Sequence, residues 1–576
     1  MTGICAKISW GIAFAGLAAC NAPPAPAPAG AVNLAPPHET LNRIVDRYSD
    51  ECVPPGNPLS PQFLADSLAI ERRFLAETIA VPRTRLDADA RLNYDIFRKQ
   101  REMAIEGLTY PAELLPLSPF DGMPQQMARA AADSADHPIR SARDYASWQL
   151  RIEEHVEWTK QAIANMREGM RRGYTSPRVL MERMLPLLQD LGNDSPANVF
   201  YVPVRTMPET ITEPERTRLS AALTSTVKDK LLPAYRELHD FIQNEYLPRA
   251  RVSIALSALP LGPAWYGSLV KRATGTQLTP EEIHSIGMAE VERIRARLLS
   301  LPAGAPPAGT PPSSAPPAGT PPAGAPPLLN AYQELKVRTV GALPTLFSAF
   351  PRADFEIRAA GPWSRATLPL VYQAAAQGGR TPPILYVNRA PGGVQPANVD
   401  TAGFLQEALP GRHFQSALQR ERTDLPRFRR FGTDPAFVDG WALYAASLGD
   451  ELGLYDDAAK RGALLGQLKC AAALVADTGL HAKNWTREQA SAYLRGQMGI
   501  DDADANLMTD RLAAFPANAL ACKMGELKFQ ILRSRAQQAL GSRFDIREFH
   551  AEILKDGAMP LDILEAKLRL WMDAHQ

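Results

Sequence analysis

The chain is short of the residues that would announce a simple chemistry. It has five cysteines and nine histidines in 576 residues, and no surplus of either charge: 63 basic side chains against 62 acidic ones give a formal net charge of +1. So even a balance leaves no long-range field to gather nucleic acid or anionic lipid, and no basic or acidic block stands out. Nucleic acid is therefore not expected as a partner. Beyond Cys5 and Cys20 only Cys52, Cys470 and Cys522 remain. Their spacing fits neither a zinc cluster nor a disulfide framework, and three thiols cannot all pair. One bridge suits an oxidising compartment, with the pairing left open. Long apolar runs are also scarce. The stretch 8–19 is too short to span a bilayer, and no other segment is read as long and apolar enough to cross one.

That short run has the size of a signal-peptide core. Residues 1–20 carry one charged side chain, Lys7, and end Leu17-Ala18-Ala19-Cys20. Small residues before a cysteine resemble a bacterial lipobox, in which the thiol receives diacylglycerol; an ordinary signal peptide with an incidental cysteine is the alternative. The expectation is a signal peptide over 1–19, a lipidated Cys20 and a membrane anchor, each buried methylene contributing about 0.8 kcal/mol. Asn21 in place of Asp suggests, by resemblance to proteobacterial sorting, the outer membrane and a periplasm-facing protein.

Proline, by contrast, is abundant, with 51 residues. It concentrates in a Pro/Ala tether over 20–37 and in 302–327, where Pro-Pro-Ala-Gly-Thr-Pro-Pro recurs from Pro306 and from Pro316. Such density forbids helix and sheet ladders. The second stretch reads as a solvated insertion within one domain, 38–576.

Elsewhere the period is helical. Ile152, Val156, Ile163, Met166 and Met170 share a face of a helix expected to end near Gly173. Thr279-Pro280-Glu281-Glu282 and Thr486-Arg487-Glu488-Gln489 have the form of capped helix starts. Gly557 and Pro560 separate two terminal helices, the second carrying Leu561, Leu564, Leu568 and Trp571. Strand-like runs are few: Phe355-Glu356-Ile357 and Ile384-Leu385-Tyr386-Val387-Asn388. The expectation is a mostly α fold with a small β element just before the chemistry.

Chemistry is expected in Phe404-Leu405-Gln406-Glu407-Ala408-Leu409-Pro410-Gly411-Arg412-His413-Phe414-Gln415. An apolar stretch carrying Glu, with His one to two turns on, is what a helical zinc-peptidase site uses: imidazoles hold the ion and the glutamate serves as general base on metal-bound water. Pro410 and Gly411 must kink the helix. In a straight helix, positions 406 and 413 lie about 10 Å apart along the axis, too far to share an ion.

The segment resembles the His-Glu-Ala-x-Pro-Gly-His-His-x-Gln motif of the bacterial domain-of-unknown-function 885 family, regarded as gluzincin-like metallopeptidases. Phe437-Val438-Asp439-Gly440-Trp441-Ala442-Leu443-Tyr444 resembles its Glu-Gly-Trp-Ala-Leu-Tyr box, whose glutamate would be the third zinc ligand. Asp477-Thr478-Gly479-Leu480-His481 resembles its Asp-x-Gly-x-His segment. Phe515-Pro516-Ala517-Asn518-Ala519-Leu520-Ala521-Cys522-Lys523-Met524-Gly525 resembles Pro-Gly-Gln-Ala-x-x-Tyr-Lys-x-Gly. Leu278 to His284 and Arg295 fall in the same pattern, and the likeness runs from about Leu41 to the C-terminus. It implies a large helical gluzincin- or carboxypeptidase-like domain with a central cleft that takes a peptide or protein segment.

The departures fall on the implied metal site. Gln406 stands for the first His, Arg412 for the first of the His pair, Asp439 for Glu, Cys522 for Tyr, and Ala517-Asn518 for Gly-Gln. Glu407, at the general-base position, and His413 are kept. A fixed guanidinium repels a dication. The resemblance thus implies a degenerate ligand set of Gln406, Arg412, His413 and Asp439, no cofactor, and zinc only if the site still works. Arg412 is expected to pair with Glu407 and Asp439 in place of the ion; a surface position for Arg412 is the other reading. A rival ligand set for an active enzyme is Glu407, His413, Asp439 and Glu451.

His481 stands between approaching the cleft and bonding a core carbonyl. His284, Trp441 and Tyr444 are read as packing partners in preference to substrate contacts. Tyr386 and Asn388 are placed, by analogy with gluzincins, on an edge strand able to add a peptide strand. Cys522 as a nucleophile beside His481 or His413 is the least favoured reading, since lone cysteines are usually inert.

Overall fold

A computed structural model describes residues 36–132, 139–302, 328–360, 369–375, 382–388 and 399–576. The signal peptide, Cys20, the tether as far as residue 35, and the insertion from 303 to 327 lie outside the described residues.

Helix capping lays out the framework. Ser141 and Asp144 form a reciprocal box that opens the long helix Ala142–Arg172, which stops at Gly173 in the left-handed conformation, φ 79°. Thr279 with Glu282 opens Pro280–Ser300, and Thr486 with Gln489 opens Arg487–Met498. Each box satisfies two N–H groups that a helix start leaves bare. Ile152, Ile163 and Met166 are buried as their spacing predicts. The terminal helices, Ile546–Leu554 and Leu561–His575, part at Gly557 and Pro560. The protein is mostly helical.

The small sheet has strands β1 (Glu356–Ala359), β2 (Leu370–Gln373) and β3 (Ile384–Val387) in the order β1-β3-β2, with β3 parallel to β1 and antiparallel to β2. Both strands expected from the sequence are present; β2 was not foreseen. Its position corrects one expectation. Tyr386 lies on the central strand, opposite Arg358 on one side and Val371 on the other, so the hydrogen-bonding edges needed for strand addition belong to β1 and β2.

Apolar burial divides into two clusters. The first gathers Ile152, Met166, Tyr235, Leu474 and Leu480; the second gathers Tyr48, Phe97, Phe404, Phe414, Trp441 and Phe549. Helix Leu520–Leu540 serves both, with Leu520 and Met524 in the first and Phe529 and Leu532 in the second. It meets helix Pro435–Ser447 at Gly440 and Gly525, where a Cβ on either glycine would strike the other helix's backbone. Helix Asp457–Ala482 corrects a further expectation: it is long and apolar enough to cross a membrane, yet 72% of its apolar window is buried inside the protein. Its hydrophobicity serves the first cluster.

Cys470 on that helix is joined to Cys522 by a disulfide, with Cα atoms 6.2 Å apart and a sequence separation of 52. Closing a loop of that length removes about 4 kcal/mol of unfolded-state entropy. The paired substitution Cys470→Ser, Cys522→Ser is expected to lower unfolding free energy by about 2–4 kcal/mol, read as a lower urea midpoint at unchanged slope.

Candidate functional site

The motif segment forms two helices rather than one kinked one. Asp400 caps the first, Thr401–Glu407, by accepting the Gly403 N–H at 2.8 Å. The helix stops at Ala408, whose φ of −113° and ψ of −93° are non-helical. Pro410 has no N–H to continue it. The chain then doubles back so tightly that Gly411 rests on the carbonyls of Leu405 and Gln406, leaving no room for a Cβ. Trp441 clamps the turn by donating its indole N–H to the Pro410 carbonyl at 2.9 Å. The second helix, Arg412–Glu421, starts directly after. This turn brings Arg412 and Glu407 face to face.

Arg412 donates through Nε to Glu407 Oε1 at 3.0 Å and through Nη1 to Asp439 Oδ1 at 2.7 Å. The pairing expected from the sequence is therefore present. Burial works against the guanidinium charge, but Asp439 and Glu407 outweigh it and push its pKa above the usual value. The three side chains keep 26%, 12% and 28% of their surface, for Arg412, Glu407 and Asp439, so the cluster is half-buried and reachable. Glu407 Oε2 also accepts the Tyr372 backbone N–H at 3.3 Å, and the Gln406 amide nitrogen stands 3.5 Å from Glu407 Oε1.

His413 points elsewhere. Its Nε2 is 3.1 Å from the Ala353 carbonyl, which can only accept, so Nε2 carries the proton. Its Nδ1 then accepts from the Tyr372 hydroxyl at 3.2 Å. The ring is 1% exposed and packs 4.6 Å from Phe355. Burial lowers its pKa to about 4. Both nitrogens are committed, which corrects its assignment as a ligand position: at the helix start, residue 412 faces the carboxylates and residue 413 faces the sheet.

The other candidates lie apart from this cluster. Glu451 is gripped by Arg533 through two contacts, 2.9 and 2.7 Å, and is not a free ligand. Cys522 has its sulfur in the disulfide, which removes it as a nucleophile. His481 is fully buried in the first core; its Nδ1 accepts the Leu256 N–H at 2.9 Å and its Nε2 donates to the Leu512 carbonyl at 3.1 Å. It ties the short 3-10 turn Leu256–Ala258 to the helix Asp502–Ala514. His284 bonds Thr478 at 2.8 Å and packs edge-on to Trp485. Tyr444 is buried against His550, its hydroxyl 2.9 Å from His550 Nε2.

The boxes that carry the resemblance thus hold mostly architecture. Asp477 is fully buried, accepts the Tyr266 hydroxyl at 2.6 Å and the Ala517 N–H at 3.1 Å, and burial pushes its pKa up to about 7. Ala517 has φ 66°, a conformation that explains the glycine of the motif it resembles. Lys523 and Glu526 are wholly buried as an ion pair that reaches Glu290 at 3.6 Å.

Among the described residues no three His, Cys, Asp or Glu side chains converge on a common point. With a guanidinium between Glu407 and Asp439, an amide at 406 and both His413 nitrogens engaged, the donor set does not fit a divalent ion. Tyr372, the residue that supports both Glu407 and His413, was missed. It sits on a four-residue strand with no periodicity to betray it.

A family of bacterial proteins of unknown function, DUF885, matches residues 56–568. The chain belongs to this family. Two solved structures resemble this DUF885 chain. One is of a "putative lipoprotein" from Colwellia psychrerythraea, at 22% identity, covering 93% of this chain and 99% of that one with a TM-score of 0.77. The other is of a "putative lipoprotein of unknown function" from Shewanella oneidensis, at 13% identity, covering 92% and 97% with a TM-score of 0.66. At these identities the likeness speaks for the fold. Curated proteins offer no match.

The His413 geometry has a measurable consequence. Its folded pKa of about 4 lies below the ordinary 6.5, so the unfolded chain binds the extra proton between those values. The stability owed to the neutral ring is full above pH 6.5 and is lost as pH falls through 4. Nitrogen-15 NMR is expected to show one Nε2–H tautomer down to about pH 4.5, and His413→Gln to flatten the stability–pH slope by about one proton in that window.

Proposed function

We propose that this DUF885 chain is a lipid-anchored envelope protein, set in the outer membrane and facing the periplasm. In this reading its peptidase-like cleft has exchanged a metal centre for an internal cation. It holds a peptide or protein segment without hydrolysing it. The observation that carries this reading is Arg412 bridging Glu407 and Asp439 at 3.0 and 2.7 Å. A gluzincin-type site needs an ion between its base and its third ligand, and here a fixed guanidinium occupies that place. Glu407, though retained, has no activated water to deprotonate. The lipobox-like Leu17-Ala18-Ala19-Cys20 supports the anchor, and the lipoprotein descriptions of both structural neighbours agree with it. Peptide retention rests on the half-open carboxylate–guanidinium cluster, which offers both donors and acceptors to a backbone.

The rival is a working peptidase with an unusual metal site, favoured only by the survival of Glu407. Zinc measured by elemental analysis after equilibration and desalting separates the two. The wild-type chain is expected to keep far less than stoichiometric zinc. The combination Gln406→His, Arg412→His and Asp439→Glu is expected to gain it. Stoichiometric zinc in the wild type, or shortening of a mixed peptide pool, would overturn the non-hydrolytic reading. Arg412→Ala alone is expected to cost about 2 kcal/mol of stability, less than a fully buried pair because the cluster is part-exposed.

A further inference from the structure

Three parts of the chain line a pocket of about 440 Å³ that shares no residue with the Arg412 cluster: the first turns of helix Arg178–Gly192, the segment 252–254, and the turn from Asn484 into helix Arg487–Met498. Sites for small ligands commonly measure about 300–1,000 Å³. The walls are fixed from behind. Arg251 donates to the carbonyls of Thr175, Ser253 and Ala255. The Trp485 ring lies on Gly479, where a Cβ would stand 2.4 Å from the indole. That contact accounts for the glycine within the Asp477 to His481 segment. Arg487 turns its guanidinium to the fully buried Asp510, at 2.6 and 3.0 Å, which does not line the pocket.

What the lining leaves free decides the ligand. The side chains of Arg178, Glu182 and Asn484 are exposed, and among the described residues none of them has a hydrogen-bond or ion-pair partner. The Trp485 indole N–H has none either, and it is open to solvent rather than sealed in. Glu488 adds a carboxylate, held below its ordinary pKa by its own backbone N–H and by the Thr486 side chain. Val179, Val252 and Ile254 supply apolar contact, Val252 with 87% of its surface exposed. A charged ligand of either sign would meet a like charge, at Glu182 and Glu488 or at Arg178. A purely apolar ligand would take water from the free donors and acceptors and give nothing back. A peptide strand needs a regular edge, and the chain bends at Val252. A neutral polyhydroxyl ring meets every demand. Each hydroxyl can donate to a carboxylate while accepting from the guanidinium, amide or indole N–H, and the ring's C–H faces can rest on the valines.

We propose that this pocket, with Arg178, Glu182, Asn484, Trp485 and Glu488 as its polar contacts, is a binding site for a neutral saccharide. It stands independently of the peptide reading of the Arg412 cluster.

The test is titration calorimetry of the full chain with maltotriose and with tri-N-acetylchitotriose, in wild type, Glu182→Ala and Trp485→Phe. The blocked tripeptide acetyl-Ala-Val-Ala-amide serves as the peptide arm. At least one trisaccharide is expected to bind the wild type saturably, with an affinity that added salt leaves unchanged, since the ligand carries no charge. Each variant is expected to weaken that binding about tenfold or more. Glu182→Ala removes an exposed side chain without a partner and should leave the Tm as it is, so it remains informative if Trp485→Phe loosens the contact with Gly479. Failure of both trisaccharides to bind, equal binding in all three proteins, or tighter binding of the blocked tripeptide would overturn the proposal, the last in favour of a peptide site.

Discussion

Two carboxylates brought together in a part-buried place need a positive partner, and everything around the motif turn is arranged to supply one. Glu407 ends one helix and Asp439 sits within another; without a cation between them they would repel at short range. Arg412 meets both because the chain reverses at Pro410 and Gly411, and the reversal holds because Trp441 ties the Pro410 carbonyl and Gly440 lets the Asp439 helix close on its neighbour. A metal would impose the same convergence with four short bonds; a guanidinium does it with two directional hydrogen bonds in one plane.

Much of the helical framework was legible because its signals are local. The Thr279 and Thr486 boxes and the stop at Gly173 depend on residues within a turn of one another, and they appear where the sequence places them. The Arg412 pairing was legible because the resemblance puts Glu407, Arg412 and Asp439 at one site, where carboxylates without a cation would be costly to bury. What could not be read depends on contacts distant in sequence. Strand β2 is four residues long, and Tyr372 on it acts through groups at 407 and 413. Which of Arg412 and His413 faces the carboxylates is set by the helix phase after the turn. His481 resembles a site residue in sequence, yet joins Leu256 to Leu512 far from the motif.

The same comparison separates the roles of motif residues. Gly440 and Gly525 allow two helices to touch, Asp477 caps a loop at a left-handed alanine, and Lys523 is neutralised by Glu526. These residues would be needed whether or not the protein ever cleaved a bond.

Helix Leu520–Leu540 is common to both apolar clusters and is stapled near its start by the Cys470–Cys522 bridge. It works as a shared beam. Cutting the chain into halves would strip one side of that beam and expose its apolar flank to water, so neither half is equipped to stand alone.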